Sequence, residues 1–182
     1  MGTKLKRWET VARGEVVRHR VVDYQSVLRR SPRTGAMSSF DVLHSRDWVN
    51  VVALTQEGDV VLVRQYRHGS DALSLEIPGG FVDPGEDPAQ TAARELLEET
   101  GFAGAPPELL AHLHPNPAIL SNRCTQWLVR DARPTAALDL DDNEDIEVVL
   151  APFADIPRML AAGEITHAVV IAGLYLAELA LR

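Results

Sequence analysis

Short β-branched runs separated by turn residues dominate the chain, and helical periodicity is confined to three places. Residues 48–54 ("WVNVVAL") and 60–66 ("VVLVRQY") flank "TQEGD", which predicts a hairpin. Residues 10–30 carry further β-rich runs, and "SPRTGAMSS" (31–39) reads as a loop. "ALSLEIP" is a short strand leading into the Gly- and Pro-rich "GGFVDPGED". There Asp87 as N-cap, Pro88 at N1 and Gln90 at N3 open a helix that Gly101 closes, with Ala92, Ala93, Leu96 and Leu97 as its apolar face. "ELLAHLH", "CTQWLVRDA" and "IEVVLAP" are later strands, joined by "PNPAILSNR" and the acidic "DLDDNED". Two helices finish the chain: "ADIPRMLAAG", stopped by Gly163, and an apolar helix ending at Arg182. A mostly β centre, one polar helix and terminal helices predict an α+β fold, not a βαβ nucleotide-binding series.

Composition narrows the partners. The 182 residues are 46% hydrophobic and 24% charged, which suits one domain with room for a small added subdomain. A net charge of −8 argues against nucleic acid as a partner. No segment reaches the roughly 18 continuous apolar residues of a membrane span, and the N-terminus lacks the apolar core of a signal peptide. The greasy run "HAVVIAGLYLAELALR" is interrupted by Glu178 and reads as a core or interface helix. A single cysteine, Cys124, fits a reducing compartment, so a cytoplasmic protein without membrane contact is expected.

The stretch "RELLEETGF" changes the picture. Glu95, Glu98 and Glu99 share one helix face just before the C-terminus, where carboxylates are disfavoured and repel each other. A hard divalent cation, Mg²⁺ or Mn²⁺, would relieve that repulsion; a solvated acidic face is the alternative.

The wider window "GFVDPGEDPAQTAARELLEETGF" sets Gly80, Glu86, Arg94, Glu95, Glu98, Glu99 and Gly101 in the spacing of the Nudix box, which it resembles at every defining position. Seven such residues would coincide by chance on the order of 10⁻⁸ per starting position. The resemblance implies a Nudix α/β/α sandwich and divalent-metal hydrolysis of a nucleoside diphosphate linked to another group. It also implies metal ligation by Glu95, Glu98, Glu99 and the carbonyl of Gly79, with Arg94 and Glu86 pairing to orient the loop. Metal ions would lower the pKa of a bound water for attack on phosphorus.

"VRQYRHGSDALSLEIPGGF" resembles the corresponding segment of ADP-ribose and nucleoside-diphosphate-sugar pyrophosphatases. By that resemblance Arg67 approaches the diphosphate, Glu76 orients a ribose or base, and Pro117 matches a substrate-side proline. Ala118 stands where a glycine is usual, which implies a differently shaped loop. "DDNEDIEV" resembles a late loop whose glutamate is the base or a further metal ligand. Glu144 matches it best, beside Asp145 and Glu147, and joins Glu98 and Arg94 as a catalytic candidate. Residues 1–47 resemble a small N-terminal β-rich dimerisation subdomain, and in the stretch before residue 50 Trp8, Tyr24 and Trp48 are base-stacking candidates. Residues 48–182 would be the catalytic domain. A homodimer acting on a small-molecule nucleotide sugar is therefore expected. Other Nudix specificities (GDP-mannose, dinucleoside polyphosphates, oxidised nucleotides) and a non-catalytic sensor are the alternatives. None of the six histidines has metal-ligand spacing; His167 caps or faces the last helix.

Overall fold

The computed structural model describes residues 4–140 and 145–182. Contacts divide the chain into two units, Met1–Arg46 with His114–Asn122, and Asp47–Leu113 with Arg123–Arg182.

In the first unit, β1 (Glu9–Val17), β2 (Asp23–Arg30) and β3 (Met37–His44) form an antiparallel sheet in that order. β3 is a correction to the sequence reading, because Met37 to Ser39 belong to the strand and not to the preceding loop. The tight turn is responsible. Ser31 and Ala36 close it with a 2.9 Å backbone bond, Gly35 supplies φ 74°, and Met37 then pairs directly with Arg30. The segment His114–Asn122 joins this unit through the backbone of Leu43, which donates to Ile119 and accepts from Ser121. Its turn is closed by Asn116, whose carbonyl accepts from Leu120 at 2.8 Å. Ala118 keeps a negative φ there, as expected for a loop built without glycine.

The second unit is built on strand alternation. β4 (Trp48–Leu54) and β5 (Asp59–Arg67) are the expected hairpin, turned by Gly58 at φ 88°. β6 (Ala72–Glu76) follows, then α1 (Pro88–Thr100), a two-residue β7 (Phe102–Ala103), β8 (Glu108–Leu113), β9 (Cys124–Val129) and a two-residue β10 (Arg133–Pro134). β11 (Ile146–Pro152), a 3₁₀ turn, α2 (Ile156–Ala161) and α3 (Ala168–Ala180) complete it. The large sheet runs β11-β5-β4-β9-β8, with β6 also on β5, and is mixed because β4 and β9 are parallel.

Helices flank this sheet. Val49, Val51 and Ala53 pack with Ala92 and Leu96 of α1, while Val52 and Leu54 pack with Met159 of α2 and Leu174 of α3. The period of two along β4 thus sends alternate side chains to opposite cores. The buried face of α1 is Thr91, Ala92, Leu96, Glu99 and Thr100; Ala93 is exposed and Leu97 half-buried, unlike the expected face. Cys124 is wholly buried on β9, where Gln126 Nε2 lies 3.1 Å from its sulfur, and burial pushes its thiol up to about 12. Among the described residues, no helix is long and apolar enough to cross a membrane.

One irregularity of the sheet positions the site. β4 pairs with β5 only at Ala53–Val61 and Leu54–Val60, after which β6 takes over β5. The freed edge of β4 is satisfied by the segment after β6: Val51 N donates to Pro78 O at 2.8 Å and Val49 N to Gly80 O at 2.9 Å. The Gly79–Gly80 turn is therefore pinned against β4.

Candidate active site

Helix α1 brings its glutamates to that turn. Asp87 caps the helix, its Oδ1 accepting from Ala89 N at 3.0 Å, and Gly101 ends it in the left-handed region at φ 72°. One residue before the end, the buried Glu99 carboxylate accepts the Gly79 N–H at 2.9 Å. A Cβ on Gly80 would overlap the Glu95 carboxylate, so the missing side chain is what lets Glu95 reach the turn.

Arg94 ties the acids together. Its guanidinium donates to Glu86 (Nε–Oε1 3.0 Å) and Glu98 (Nη1–Oε2 2.8 Å), and Nη1 lies 2.9 Å from Glu95 Oε1. The Arg94 hydrogen bond holds the Glu86 carboxyl at about 2, and the same bond, with those to Glu98 and the field of Glu95, raises the arginine's own pKa. Glu95, Glu98, Glu99 and the Gly79 carbonyl are the hard oxygen donors a Mg²⁺ or Mn²⁺ ion takes, and the Gly80 cradle leaves room for a carboxylate at the turn. In this arrangement the side chains are drawn towards Arg94 and Gly79. No three acidic, His or Cys side chains among the described residues converge on one point. The residue types fit a divalent ion.

On the pocket side of the turn lies a cavity of about 310 Å³, lined by Trp48, Asn50, Arg67, Glu76, Phe81, His167 and the two glycines. Glu76, only 3% exposed, is its anchor. Burial alone would raise its pKa, but two hydrogen bonds from Arg67 (2.9 and 2.7 Å) and one from His167 Nδ1 (3.2 Å) hold it well below the usual carboxylate range. Trp48 and Phe81 meet edge to face, with centroids 6.4 Å apart. Asn50 is buried in the wall, and its Nδ2 has no hydrogen-bond partner among the described residues.

The structure thus gathers Gly79, Arg94, Glu95, Glu98 and Glu99 at the turn, and Arg67 and Glu76 in the adjoining pocket. Pro117 lies in the first unit. Glu144 lies outside the described residues. Of its neighbours, Asp145 is exposed and Glu147 pairs with Arg64 at 2.6 Å. Of the aromatic candidates, Trp48 lines the pocket, Trp8 packs on Phe40 and the Tyr24 hydroxyl donates to Asp41.

Sequence reasoning missed His167 and Asn50. His167 occupies the N-cap of α3, but its side chain makes no cap bond and turns to Glu76 instead. The signal for Asn50 was available: a lone amide in the apolar run "WVNVVAL" is a buried polar group in need of a partner.

The NUDIX domain family matches residues 44–174. An ADP-ribose pyrophosphatase of Bacillus subtilis is 26% identical over 161 residues, covering 88% of this chain and 86% of that protein. An ADP-ribose pyrophosphatase of Mycobacterium tuberculosis is 30% identical over 141 residues, covering 76% of this chain and 68% of that protein. A crystal structure of an ADP compounds hydrolase matches with a TM-score of 0.87 at 24% identity, covering 99% of this chain and 97% of that one; this likeness bears on the fold alone.

Proposed function

The chain belongs to the Nudix family, and from that premise we propose that it hydrolyses the pyrophosphate of nucleoside diphosphate sugars, ADP-ribose first among them. Water adds to one phosphorus and the bridging P–O bond breaks. The products are a nucleoside monophosphate and a sugar phosphate, AMP and ribose 5-phosphate for ADP-ribose. The observation that carries this reading is the contact of Glu99 and Glu95 with the Gly79–Gly80 turn, directly beside the pocket that would take the substrate.

In this reading Glu95, Glu98, Glu99 and the Gly79 carbonyl hold Mg²⁺ or Mn²⁺. A divalent ion held there would supply charge neutralisation for the diphosphate and would lower the pKa of the attacking water. Arg94, clamped by Glu86, fixes the direction of Glu95 and Glu98. Arg67 keeps its charge at the pocket, where it can meet the diphosphate, and Glu76 orients it. Glu144 is the proposed base, and Pro117 a proposed substrate-side residue.

Residues 1–47 are proposed as the dimerisation and base-binding arm, and 48–182 as the catalytic part. Exposed Trp8, just before β1, and exposed Val16, Val17, Met37 and Phe40 on the three-stranded sheet favour a homodimer. A sedimentation measurement giving a monomer at micromolar concentration would remove that part. One buried, unreactive thiol is in keeping with a cytoplasmic setting.

The decisive experiment is turnover of ADP-ribose with Mg²⁺ by Glu99→Gln. The variant keeps the fold and loses about 100- to 1,000-fold in kcat. Near-normal turnover would refute the role given to α1.

A further inference from the structure

The contact between His167 and Glu76 dictates what the pocket can recognise. A carboxylate held below its usual range is ionised and can only accept, so the proton in the 3.2 Å contact sits on His167 Nδ1. In the neutral ring Nε2 is then an acceptor, and it makes no hydrogen bond among the described residues. The imidazole is part-exposed and lines the cavity. In the same wall, the buried Asn50 Nδ2 is a donor without an acceptor among the described residues. An acceptor and a donor together suit a group that both gives and takes a hydrogen bond. A sugar with neighbouring hydroxyls does so; an ionised phosphate oxygen has no hydrogen to give to Nε2.

We propose that His167 is a specificity-determining residue that reads a hydroxyl of the bound nucleoside diphosphate sugar, the hydroxyl donating to Nε2 while a neighbouring oxygen accepts from Asn50 Nδ2. This rests on the hydrolase reading above. Glu76 acts through His167 by fixing its tautomer, and Arg67 completes the set without competing for Nε2.

The test is steady-state turnover with Mg²⁺ by wild type, His167→Phe and His167→Gln. The substrates are ADP-ribose and analogues lacking one hydroxyl at a time on the adenosine ribose or the terminal ribose. His167→Phe lowers kcat/KM for ADP-ribose about 10- to 100-fold, chiefly through KM. Glutamine, whose Oε1 can accept the same hydrogen bond, restores most of it. One deoxy analogue is as poor for wild type as ADP-ribose is for His167→Phe, and on that analogue the substitution costs nothing further. The ribose bearing that hydroxyl names the half of the substrate in the pocket.

A His167→Phe value within twofold of wild type overturns the proposal. So does a loss equal on every analogue, which would mean that His167 merely holds Glu76 and Arg67, and so does a glutamine variant no better than phenylalanine. Asn50→Leu removes a donor with no acceptor; it leaves the ligand-free melting temperature unchanged or higher and raises KM. An unchanged KM overturns the part given to Asn50. Should wild type cleave no nucleotide sugar, the hydrolase reading falls on that result alone. Calorimetric binding of ADP-ribose and the same analogues to the same variants then decides the role of His167.

Discussion

The pocket and helix α1 both carry carboxylates, and these are neutralised in different ways. In the pocket, Glu76 is a single buried acid with a bidentate arginine and a histidine, so its charge is answered inside the protein. On α1, the guanidinium of Arg94 is shared among Glu86, Glu95 and Glu98, while Glu99 takes a backbone N–H. The first arrangement is complete without a ligand and suits a rigid wall. The second leaves a concentration of negative charge at a helix C-terminus, which is stable only at a cost and suits a cation. Substitution and solution conditions should therefore separate the two.

The largest expected effect falls on α1 alone. Chelation of divalent metal takes ADP-ribose turnover to background, and Mg²⁺ or Mn²⁺ restores it; persistent turnover in chelator would break the contrast. Next come the two glycines. In Gly80→Ala the new methyl meets the end of a flexible side chain, so the fold survives while Glu95 is displaced, and activity falls about 100-fold with little change in melting temperature. Gly79→Ala instead drives a methyl into the Val49 carbonyl, which cannot swing aside, and the loss is read as a lower melting temperature.

Arg67→Ala leaves Glu76 buried with its bidentate partner gone. Because Arg67 is itself half exposed, a loss of about 2 kcal/mol in denaturant unfolding is expected, partly recovered by adding Glu76→Gln. Arg94→Lys cannot bridge Glu86 and Glu98 together, and lowers kcat/KM about 10-fold.

The smallest effect is in acid. Glu86 has a folded pKa of about 2 against an ordinary 4.5, so its contribution to stability is complete above 4.5 and is lost as pH falls towards about 2. Glu86→Gln should flatten the stability curve in that window, measured by denaturation at stepped pH.

Local chemistry made much of this legible. The β4–β5 hairpin, the Asp87 and Gly101 caps and the Gly163 stop follow from turn and capping residues acting on their near neighbours. The α1 glutamates were readable from spacing, since a helix turn converts sequence interval into a shared face. The misses depend on distant partners. The start of β3 was masked by polar Ser38 and Ser39, whose strand state comes from pairing with Arg29 and Leu28. β7 and β10 are two residues each and exist only because they pair with each other. Ala93 and Leu97 are apolar but lie beside the stripe that meets the sheet. His167 reaches Glu76 across most of the catalytic sequence, an encounter that no local pattern encodes.

Cys124 carries a consequence of another kind. Its sulfur is sealed inside β9, between β4 and β8, and resists ionisation. A thiol-specific reagent can reach it only while the sheet is parted. The pace of labelling is accordingly a clock for that excursion, already installed in the wild-type chain. Any compound that settles in the neighbouring cavity should slow the clock, announcing its presence without being cleaved.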